Sequence, residues 1–368
     1  MRVLVTADTI GGVWTYTREL VTGLSRRGVD VVLVSFGEIP SAAQSDWLDG
    51  LKNVDYRATA FKLEWMQDSL DDLRASSGFL MDVVRETRPH LLHLSQYFHG
   101  ALNVNVPKIV VAHSDVVSWW MEVHGVEPPQ NDWTIGYRDV VTTGLAGADV
   151  VVAPSRWMLD AATRHYGPLR NGTVIYNGRN PGLFNPHGSK EDLAISVGRV
   201  WDKAKNVSVL AEASHSVPVW IAGEETNPEA NGRPNNSSLR GRGVRLCGKQ
   251  SESQLRHLFS RASMYVATSQ YEPFGLALAE AALSRCALIA NDIPVFRELW
   301  GECACYYSLN DSQDLARKID QLQHDKELRM TYANLAYRRA QQRFTAERMV
   351  SDYINLYQTL VPAGAAVA

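Results

Sequence analysis

The segment from Met264 to Arg285 constrains the fold most, because it predicts a strand, a loop and a helix in direct succession. Met264–Thr268 is a short apolar run typical of a buried parallel strand, and the Ala- and Leu-rich run Leu276–Arg285 predicts a helix. The free N–H groups at the start of such a helix carry a partial positive charge and point at the loop. The loop is therefore an anion site suited to a diphosphate, and Gly275 would let the ligand approach the backbone closely.

Two carboxylates frame this predicted anion site. Glu272 lies in the loop, and Glu280 lies about one and a half turns into the helix, so each could accept hydrogen bonds from a different set of hydroxyls. A ligand with a sugar, a diphosphate and a ribose would satisfy the loop, the helix start and both carboxylates. Alternatively, both glutamates only complement the positive end of the helix dipole.

Strand-like and helix-like segments alternate through both halves of the chain, which predicts two doubly wound parallel sheets. The predicted strands fall at 1–7, 28–35, 54–57, 90–94, 109–112, 149–155, 194–200, 217–223, 243–248 and 264–268. Gly11 and Gly12 stand where the first strand enters its helix, which is either a plain tight turn or a place where a phosphate or sugar approaches the backbone. They do not form the dinucleotide-binding glycine pattern. A polar stretch from Asn227 to Ser238 predicts an exposed loop.

Three aromatic side chains follow the strand predicted at 109–112. His113 stands at the carboxyl end of that strand, where open α/β sheets bind ligands, although a lone histidine is more often structural. Trp119 and Trp120 come shortly after it. They belong either to the core or to a platform on which a sugar ring stacks.

Two cations follow the strand predicted at 194–200. Arg199 ends the strand, and Lys205 opens a predicted helix that runs to Ala213, with Lys203 as a rival for the role of Lys205. Fixed cations here would stabilise the negative charge of a bound diphosphate. The alternative is two solvated surface cations.

The composition excludes several classes of protein. A chain of 368 residues with a net charge of −3 is long enough for two domains and is unlike a nucleic-acid-binding protein. No apolar run is long enough to span a membrane. The four cysteines show no metal-binding pattern, so we expect reduced thiols and a cytoplasmic protein.

The run Glu272-Pro-Phe-Gly-Leu-Ala-Leu-Ala-Glu280 resembles the E-x7-E signature of the family 4 retaining glycosyltransferases, which have the GT-B fold. The resemblance implies two Rossmann-like domains facing a cleft. It places residues 1–173 and 344–368 in an acceptor-side domain and residues 174–343 in a nucleotide-sugar-binding domain. Val174–Phe184 resembles the family's connection between domains, with Asn180 where an aspartate is usual.

The resemblance also implies a role for each candidate residue. Glu272 and the backbone of Phe274, Gly275 and Leu276 would bind the donor sugar, and Glu280 would bind the ribose. The remaining assignments are His113 beside the donor sugar, Arg199 and Lys205 on the diphosphate, Gly11 and Gly12 beside the diphosphate and acceptor, Gly248 and Lys249 beside the base, and Trp119 and Trp120 on the acceptor. His113, Arg199, Lys205 and Glu272 form the expected catalytic group.

The implied reaction transfers a hexose from a nucleoside diphosphate sugar, of the UDP-glucose or GDP-mannose type, to a hydroxyl of a glycan or glycoside with retention at the anomeric carbon. No Asp-x-Asp pattern lies near the site, so we expect no metal, and we expect no cofactor beyond the sugar nucleotide. Two other readings remain open. One is a non-catalytic nucleotide-sugar-binding subunit of a glycosyltransferase complex, and the other is a phosphorylase or epimerase on the same fold.

Overall fold

The structure is a computed structural model that describes residues 1–227 and 243–361. Most of the loop predicted from Asn227 to Ser238 lies outside these residues. The chain divides into two compact units. Unit 1 contains Met1–Met121, Gly125–Gly178 and the described residues from Ala346 onward, and unit 2 contains Glu122–His124 and Arg179–Thr345.

Unit 1 is built on a seven-stranded parallel sheet with the strand order β3-β2-β1-β4-β5-β6-β7. Its strands are β1 (Arg2–Asp8), β2 (Asp30–Phe36), β3 (Val54–Ala58), β4 (Leu91–Leu94), β5 (Lys108–Val111), β6 (Val150–Ala153) and β7 (Gly172–Val174). Its first helices are α1 (Gly12–Arg26), α2 (Ala42–Ser45), α3 (Leu70–Thr87), α4 (Val116–His124), α5 (Asp132–Gly147) and α6 (Arg156–Tyr166).

The strands of unit 1 are apolar because both faces of the sheet are covered. In β1, Leu4 packs into one buried cluster, while Val3 and Val5 pack into another. This alternation follows from the period of two along a strand, which sends successive side chains to opposite faces. Such a sheet needs nearly continuous apolar runs, which is how these strands were predicted.

Unit 2 is built on a six-stranded parallel sheet with the strand order β10-β9-β8-β11-β12-β13. Its strands are β8 (Glu191–Val197), β9 (Val219–Ala222), β10 (Val244–Leu246), β11 (Ala262–Ala267), β12 (Ala287–Asn291) and β13 (Cys305–Tyr307). Its helices are α7 (Glu252–Arg261), α8 (Leu276–Leu283), α9 (Pro294–Trp300), α10 (Ser312–His324) and α11 (Lys326–Arg343). The two sheets confirm the prediction of two Rossmann-like domains.

The last helix, α12 (Ala346–Leu360), returns to unit 1. Its buried face carries Met349, Val350, Tyr353 and Tyr357. A Cβ added to Gly23 of α1 would come within 2.4 Å of Val350 Cγ2, so a glycine in α1 makes room for α12.

The predicted helix from Lys205 to Ala213 is wrong. The structure has two 3₁₀ helices instead, at Lys203–Lys205 and Val207–Ala211. Asn206 between them adopts a left-handed conformation with φ of 47°, which cannot continue an α-helix. No helix among the described residues is long and apolar enough to cross a membrane.

Candidate functional site

The strand order of unit 2 explains why its candidate residues lie at one edge of the sheet. The order reverses direction between β8 and β11, and ligands of open α/β sheets bind at the carboxyl ends of strands beside such a switch point. Arg199 comes shortly after β8, and Glu272 comes after β11 on the way to α8. The fold thus brings these two distant parts of the sequence to one edge of the sheet.

Lys205 and Glu272 form an ion pair at this edge. Lys205 Nζ donates to Glu272 Oε2 at 2.5 Å, and their side chains are 22% and 17% exposed. The backbone holds the two segments together as well, because Thr268 Oγ1 donates to the Lys205 carbonyl at 2.6 Å and Gln270 N donates to the Ala204 carbonyl at 2.8 Å. A cation and a carboxylate are therefore fixed side by side next to the start of α8.

Arg199 is held by its local sequence. Its guanidinium donates to Asp202 Oδ2 at 2.5 Å and lies over the ring of Trp201, 5.1 Å from the centroid. Asp202 is buried and also accepts from Ala204 N at 2.9 Å, so it caps the 3₁₀ helix that carries both lysines. Lys203 is exposed on that helix, whereas Lys205 faces Glu272.

The loop before α8 ends in a glycine with a left-handed backbone conformation. Gly275 has φ of 86° and precedes the first residue of the helix, Leu276. The conformation favours glycine, and a Cβ at this position would lie 2.7 Å from Leu278 Cδ1 and displace that side chain. The Phe274 side chain is buried and packs edge-on against Phe344 at 5.3 Å. The part of Phe274 that suits a ligand is therefore its backbone.

Glu280 has a partner that the sequence analysis did not assign. Its Oε1 lies 2.8 Å from Nε of Arg179, and the two side chains are 13% and 2% exposed. Arg179 was noted only as part of the connection between domains. Hydrophobic patterning does not predict that an arginine is buried, so nothing in the sequence pointed to a contact between Arg179 and Glu280.

Gly248 and Lys249 follow β10. The Gly248 carbonyl accepts from Gly223 N at 2.9 Å, which joins the ends of β9 and β10. The Lys249 side chain is 81% exposed, and its Nζ lies 3.8 Å from Glu224 Oε2. Among the candidates of unit 2, Lys205 and Glu272 contact each other. The remaining charged candidates contact residues outside the candidate set: Arg199 contacts Asp202, Glu280 contacts Arg179, and Lys249 contacts Glu224.

In unit 1 the switch point lies between β1 and β4. Gly11 follows β1 with φ of 78° and caps α1, which begins at Gly12. Ser95 follows β4, and its Oγ lies 3.3 Å from Nε2 of His113, which follows β5. The candidate histidine therefore lies beside the switch point.

His113 adjoins a buried network that the sequence analysis missed. The Tyr16 ring meets the His113 ring edge-on with centroids 4.6 Å apart. His93 Nε2 lies 3.0 Å from the Tyr16 hydroxyl, and His93 Nδ1 lies 2.8 Å from the Tyr357 hydroxyl of α12. Burial lowers the pKa of both histidines to about 3. Neutral His93 must therefore donate to one tyrosine and accept from the other.

Trp119 and Trp120 are half-buried neighbours on α4, with ring centroids 6.2 Å apart in an edge-to-face arrangement. Asp115 caps this helix by accepting from Ser118 N at 2.7 Å, and it also accepts from the Tyr166 hydroxyl at 2.7 Å. The helix that carries both tryptophans is therefore tied to α6 through a buried carboxylate.

Glu64 is a buried carboxyl group in unit 1. Its Oε1 accepts from Tyr97 N at 2.9 Å, and burial raises its pKa to about 7. No sequence pattern singled it out. Within residues 1–227 and 243–361, no group of three or more His, Cys, Asp or Glu residues is arranged to hold a metal ion.

Sequence models of two protein families match the chain in succession. The model described as Glycosyltransferase Family 4 matches residues 10–183. The model described as Glycosyl transferases group 1 matches residues 184–339. The boundary between the two matches falls close to the division of the structure at Gly178 and Arg179.

Two curated proteins of Escherichia coli are similar in sequence. The O-antigen chain mannosyltransferase C is 23% identical over 381 residues, which cover 96% of each protein. The serotype-specific mannosyltransferase WbdA is 38% identical over 71 residues, which are 19% of this chain and 9% of WbdA. The chain thus matches only a small part of the length of WbdA.

Two solved structures share the fold over nearly the whole chain. Sucrose-phosphate synthase from Thermosynechococcus elongatus superposes with a TM-score of 0.79 at 20% identity and covers 99% of this chain and 100% of that one. Anabaena Alr3699/HepE, solved in complex with UDP and glucose, superposes with a TM-score of 0.76 at 17% identity and covers 98% and 100%.

Proposed function

The chain belongs to the family 4 glycosyltransferases and has their GT-B fold, and we propose that it is a retaining hexosyltransferase. It would move a hexose from a nucleoside diphosphate sugar to a hydroxyl of a glycan or glycoside. We assign donor binding to unit 2 and acceptor binding to unit 1. Family membership supports the general activity of a glycosyltransferase, and the contacts of individual residues support the proposed donor and acceptor sites.

The observation that most supports a donor site in unit 2 is the contact between Lys205 and Glu272 next to the start of α8. A nucleotide sugar needs a cation for its diphosphate and an acceptor of hydrogen bonds for its sugar hydroxyls. The pair supplies both within one contact, and the helix start adds N–H donors and a partial positive charge. Arg199, which comes shortly after the neighbouring strand β8, would supply the second cation.

The proposed reaction breaks the bond between the anomeric carbon and a phosphate oxygen and forms a bond from the acceptor oxygen to the same carbon. Retention follows if the acceptor attacks from the face that the diphosphate leaves. The acceptor proton passes to the leaving phosphate oxygen. Arg199 and Lys205 would stabilise the negative charge that grows on the diphosphate, and fixed positioning would supply much of the remaining acceleration.

His113 would contribute a hydrogen bond rather than a charge. Since burial lowers its pKa to about 3, the imidazole stays neutral at ordinary pH. A neutral ring can donate to or accept from a sugar hydroxyl near the reacting carbon. Trp119 and Trp120 would bind the acceptor, because indole faces cover the C–H surface of a sugar ring.

The similar proteins indicate which nucleotide sugars to test first as donors. The two relatives above are named mannosyltransferases, and the HepE structure holds UDP and glucose. GDP-mannose and UDP-glucose are therefore the first two donors to compare. We further propose that turnover requires neither a metal ion nor a cofactor, since cationic side chains and a helix start serve the diphosphate. The free cysteines of the described residues favour a reducing compartment such as the cytoplasm.

The test begins with a screen of nucleotide sugars for thermal stabilisation of the protein, because a ligand that binds only the folded state raises the melting temperature. The best donor is then incubated without acceptor, and slow hydrolysis is followed together with the anomeric configuration of the released sugar. Retained configuration supports the proposal, and inverted configuration contradicts it. Binding without any turnover, with or without glycoside acceptors, would indicate a non-catalytic binding subunit. Glu272→Gln, which lacks the carboxylate proposed to bind the donor sugar, is the control that shows whether turnover depends on this site.

A further inference from the structure

Arg179 is a deeply buried cation that contacts Glu280, a candidate ligand-binding residue. It is the first residue of unit 2, and its side chain is 2% exposed. Its backbone N donates to the Phe344 carbonyl at 2.9 Å, and it forms an isolated parallel bridge with Thr345, the last residue of that unit. The backbone of Arg179 is therefore anchored independently of its side chain.

The guanidinium of Arg179 reaches from this anchor to α8. Its Nε lies 2.8 Å from Glu280 Oε1, and its Cζ lies over the Phe184 ring, 5.6 Å from the centroid. A buried cation is costly unless a carboxylate compensates it, so Glu280 is held where Arg179 needs it. One oxygen of the Glu280 carboxylate thus has a fixed position.

We infer that Arg179 is a positioning residue that orients the Glu280 carboxylate for the two ribose hydroxyls of the donor. This inference rests on the proposed function, in which Glu280 binds the ribose. A carboxylate offers about four lone-pair sites, so an oxygen next to Arg179 can still accept from a hydroxyl. A glutamate alone would have to lose the freedom of its side-chain torsions when the ribose binds. Arg179 fixes that conformation in advance, which improves binding by preorganisation.

A purely structural role for Arg179 makes a different prediction. Loss of the side chain would then lower the melting temperature and weaken all nucleotides by the same factor. A positioning role instead predicts that the preference for ribose over deoxyribose shrinks. The ribonucleotide would lose the hydrogen bond from its hydroxyl to Glu280, whereas the deoxy analogue has no such bond to lose. The ratio of affinities for the two sugars is therefore the diagnostic quantity.

The experiment measures dissociation constants by calorimetry for UDP and GDP and continues with whichever the wild type binds more tightly, together with its 2′-deoxy and 3′-deoxy analogues. The variants are Arg179→Met, Arg179→Lys and Glu280→Gln. Arg339→Met is the matched control, since Arg339 is a half-buried arginine of the same unit whose Nη2 donates to the Glu298 carbonyl at 3.2 Å.

We expect the wild type and Arg339→Met to prefer the ribonucleotide by about 10- to 100-fold, the usual effect of one hydrogen bond to a charged group. The preference for the ribonucleotide should largely disappear in Arg179→Met and Glu280→Gln. It should be reduced in Arg179→Lys, which keeps the positive charge but lacks the planar guanidinium group. A wild-type preference in the Arg179 variants overturns the inference, and Arg179→Lys decides the matter if Arg179→Met does not fold. If the wild type binds neither nucleotide, the proposed function itself fails. If the wild type binds but Glu280→Gln keeps the full preference, only the role of Glu280 and Arg179 fails.

Discussion

Lys205 and Glu272 lie 67 positions apart in the sequence, yet the Lys205 ammonium donates to the Glu272 carboxylate at 2.5 Å. Both side chains are mostly buried, so each compensates the charge of the other. Removing one partner leaves a poorly hydrated charge, whereas removing both does not. A residue proposed for the donor diphosphate and a residue proposed for the donor sugar thus also stabilise each other.

We expect Lys205→Met to lower the free energy of unfolding by about 1–3 kcal/mol, because Glu272 loses its cation. The double variant Lys205→Met/Glu272→Gln should recover part of this loss, and urea denaturation of the three proteins measures the coupling. Donor hydrolysis should fall about 10²–10³-fold in Lys205→Met. Lys203→Met is the matched control on the same 3₁₀ helix, since Lys203 is exposed. If Lys203→Met is the inactive variant instead, Lys203 is the diphosphate ligand.

Arg199→Ala should reduce kcat about 10²–10³-fold, since the variant lacks a cation that would stabilise the departing diphosphate. Its stability should fall less than that of Lys205→Met, because Arg199 is 47% exposed and the buried Asp202 still accepts from Ala204 N. Steady-state rates with saturating donor test the first expectation. Arg245→Ala is the control, because Arg245 also lies over a tryptophan ring, that of Trp220 at 4.5 Å. Equal rates for the two variants would contradict the role of Arg199.

Trp119→Leu and Trp120→Leu should raise the acceptor KM and leave donor hydrolysis nearly intact, because the acceptor would lose a stacking surface while the donor chemistry persists. The measurements are the two rates and the melting temperature of each variant. If both tryptophans only serve the core, each variant should lose stability through the cavity that it leaves, and both rates should fall together. Trp133→Leu is the control, since Trp133 is a half-buried tryptophan of α5 stacked on Tyr137 at 6.1 Å.

Turnover should persist in excess chelator, because cationic side chains and the start of α8 are proposed to serve the diphosphate. The rate is measured after exhaustive treatment with EDTA and again after addition of Mg²⁺ or Mn²⁺. A lost rate that either ion restores would show that a metal takes part. Zn²⁺ is added in a parallel sample to separate a specific requirement from a general effect of divalent ions.

The buried Glu64 should make unit 1 less stable as the pH rises. Burial raises the pKa of Glu64 from 4.5 to about 7, so the folded state binds a proton that the unfolded state releases between these values. The resulting stability is complete below pH 4.5 and is lost as the pH rises through 7. Relative to Glu64→Gln, the wild type should lose about 2–3 kcal/mol between pH 5 and pH 8.

Urea denaturation of both proteins at several pH values checks this expectation. His93, His99 and His113 act in the opposite sense, because burial lowers the pKa of each from 6.5 to about 3. Their contribution is lost as the pH falls through that range, and it is common to both proteins, so the difference between the proteins isolates Glu64. Parallel pH profiles would mean that Glu64 stays ionised in the folded protein.

The sequence alone predicted the fold class, because a sheet covered on both faces needs apolar strands that alternate with helices. It also predicted the strand, loop and helix around Gly275, since local backbone conformation depends on local sequence. It named Glu272 and Lys205 separately, as members of a familiar pattern. It wrongly predicted a helix starting at Lys205, because the apolar run after it is helix-like, whereas Asn206 adopts the left-handed conformation that asparagine tolerates better than most residues.

Only the tertiary structure decided which charged groups meet. The contact of Lys205 with Glu272 joins segments that follow the adjacent strands β8 and β11, and the contact of Arg179 with Glu280 joins the start of unit 2 to α8. The same holds for His93, whose two ring nitrogens meet hydroxyl groups from α1 and α12. Such pairings depend on distances between parts of the chain that are remote in sequence. Periodicity reports which face of an element is buried, and it carries no information about which buried polar group lies opposite.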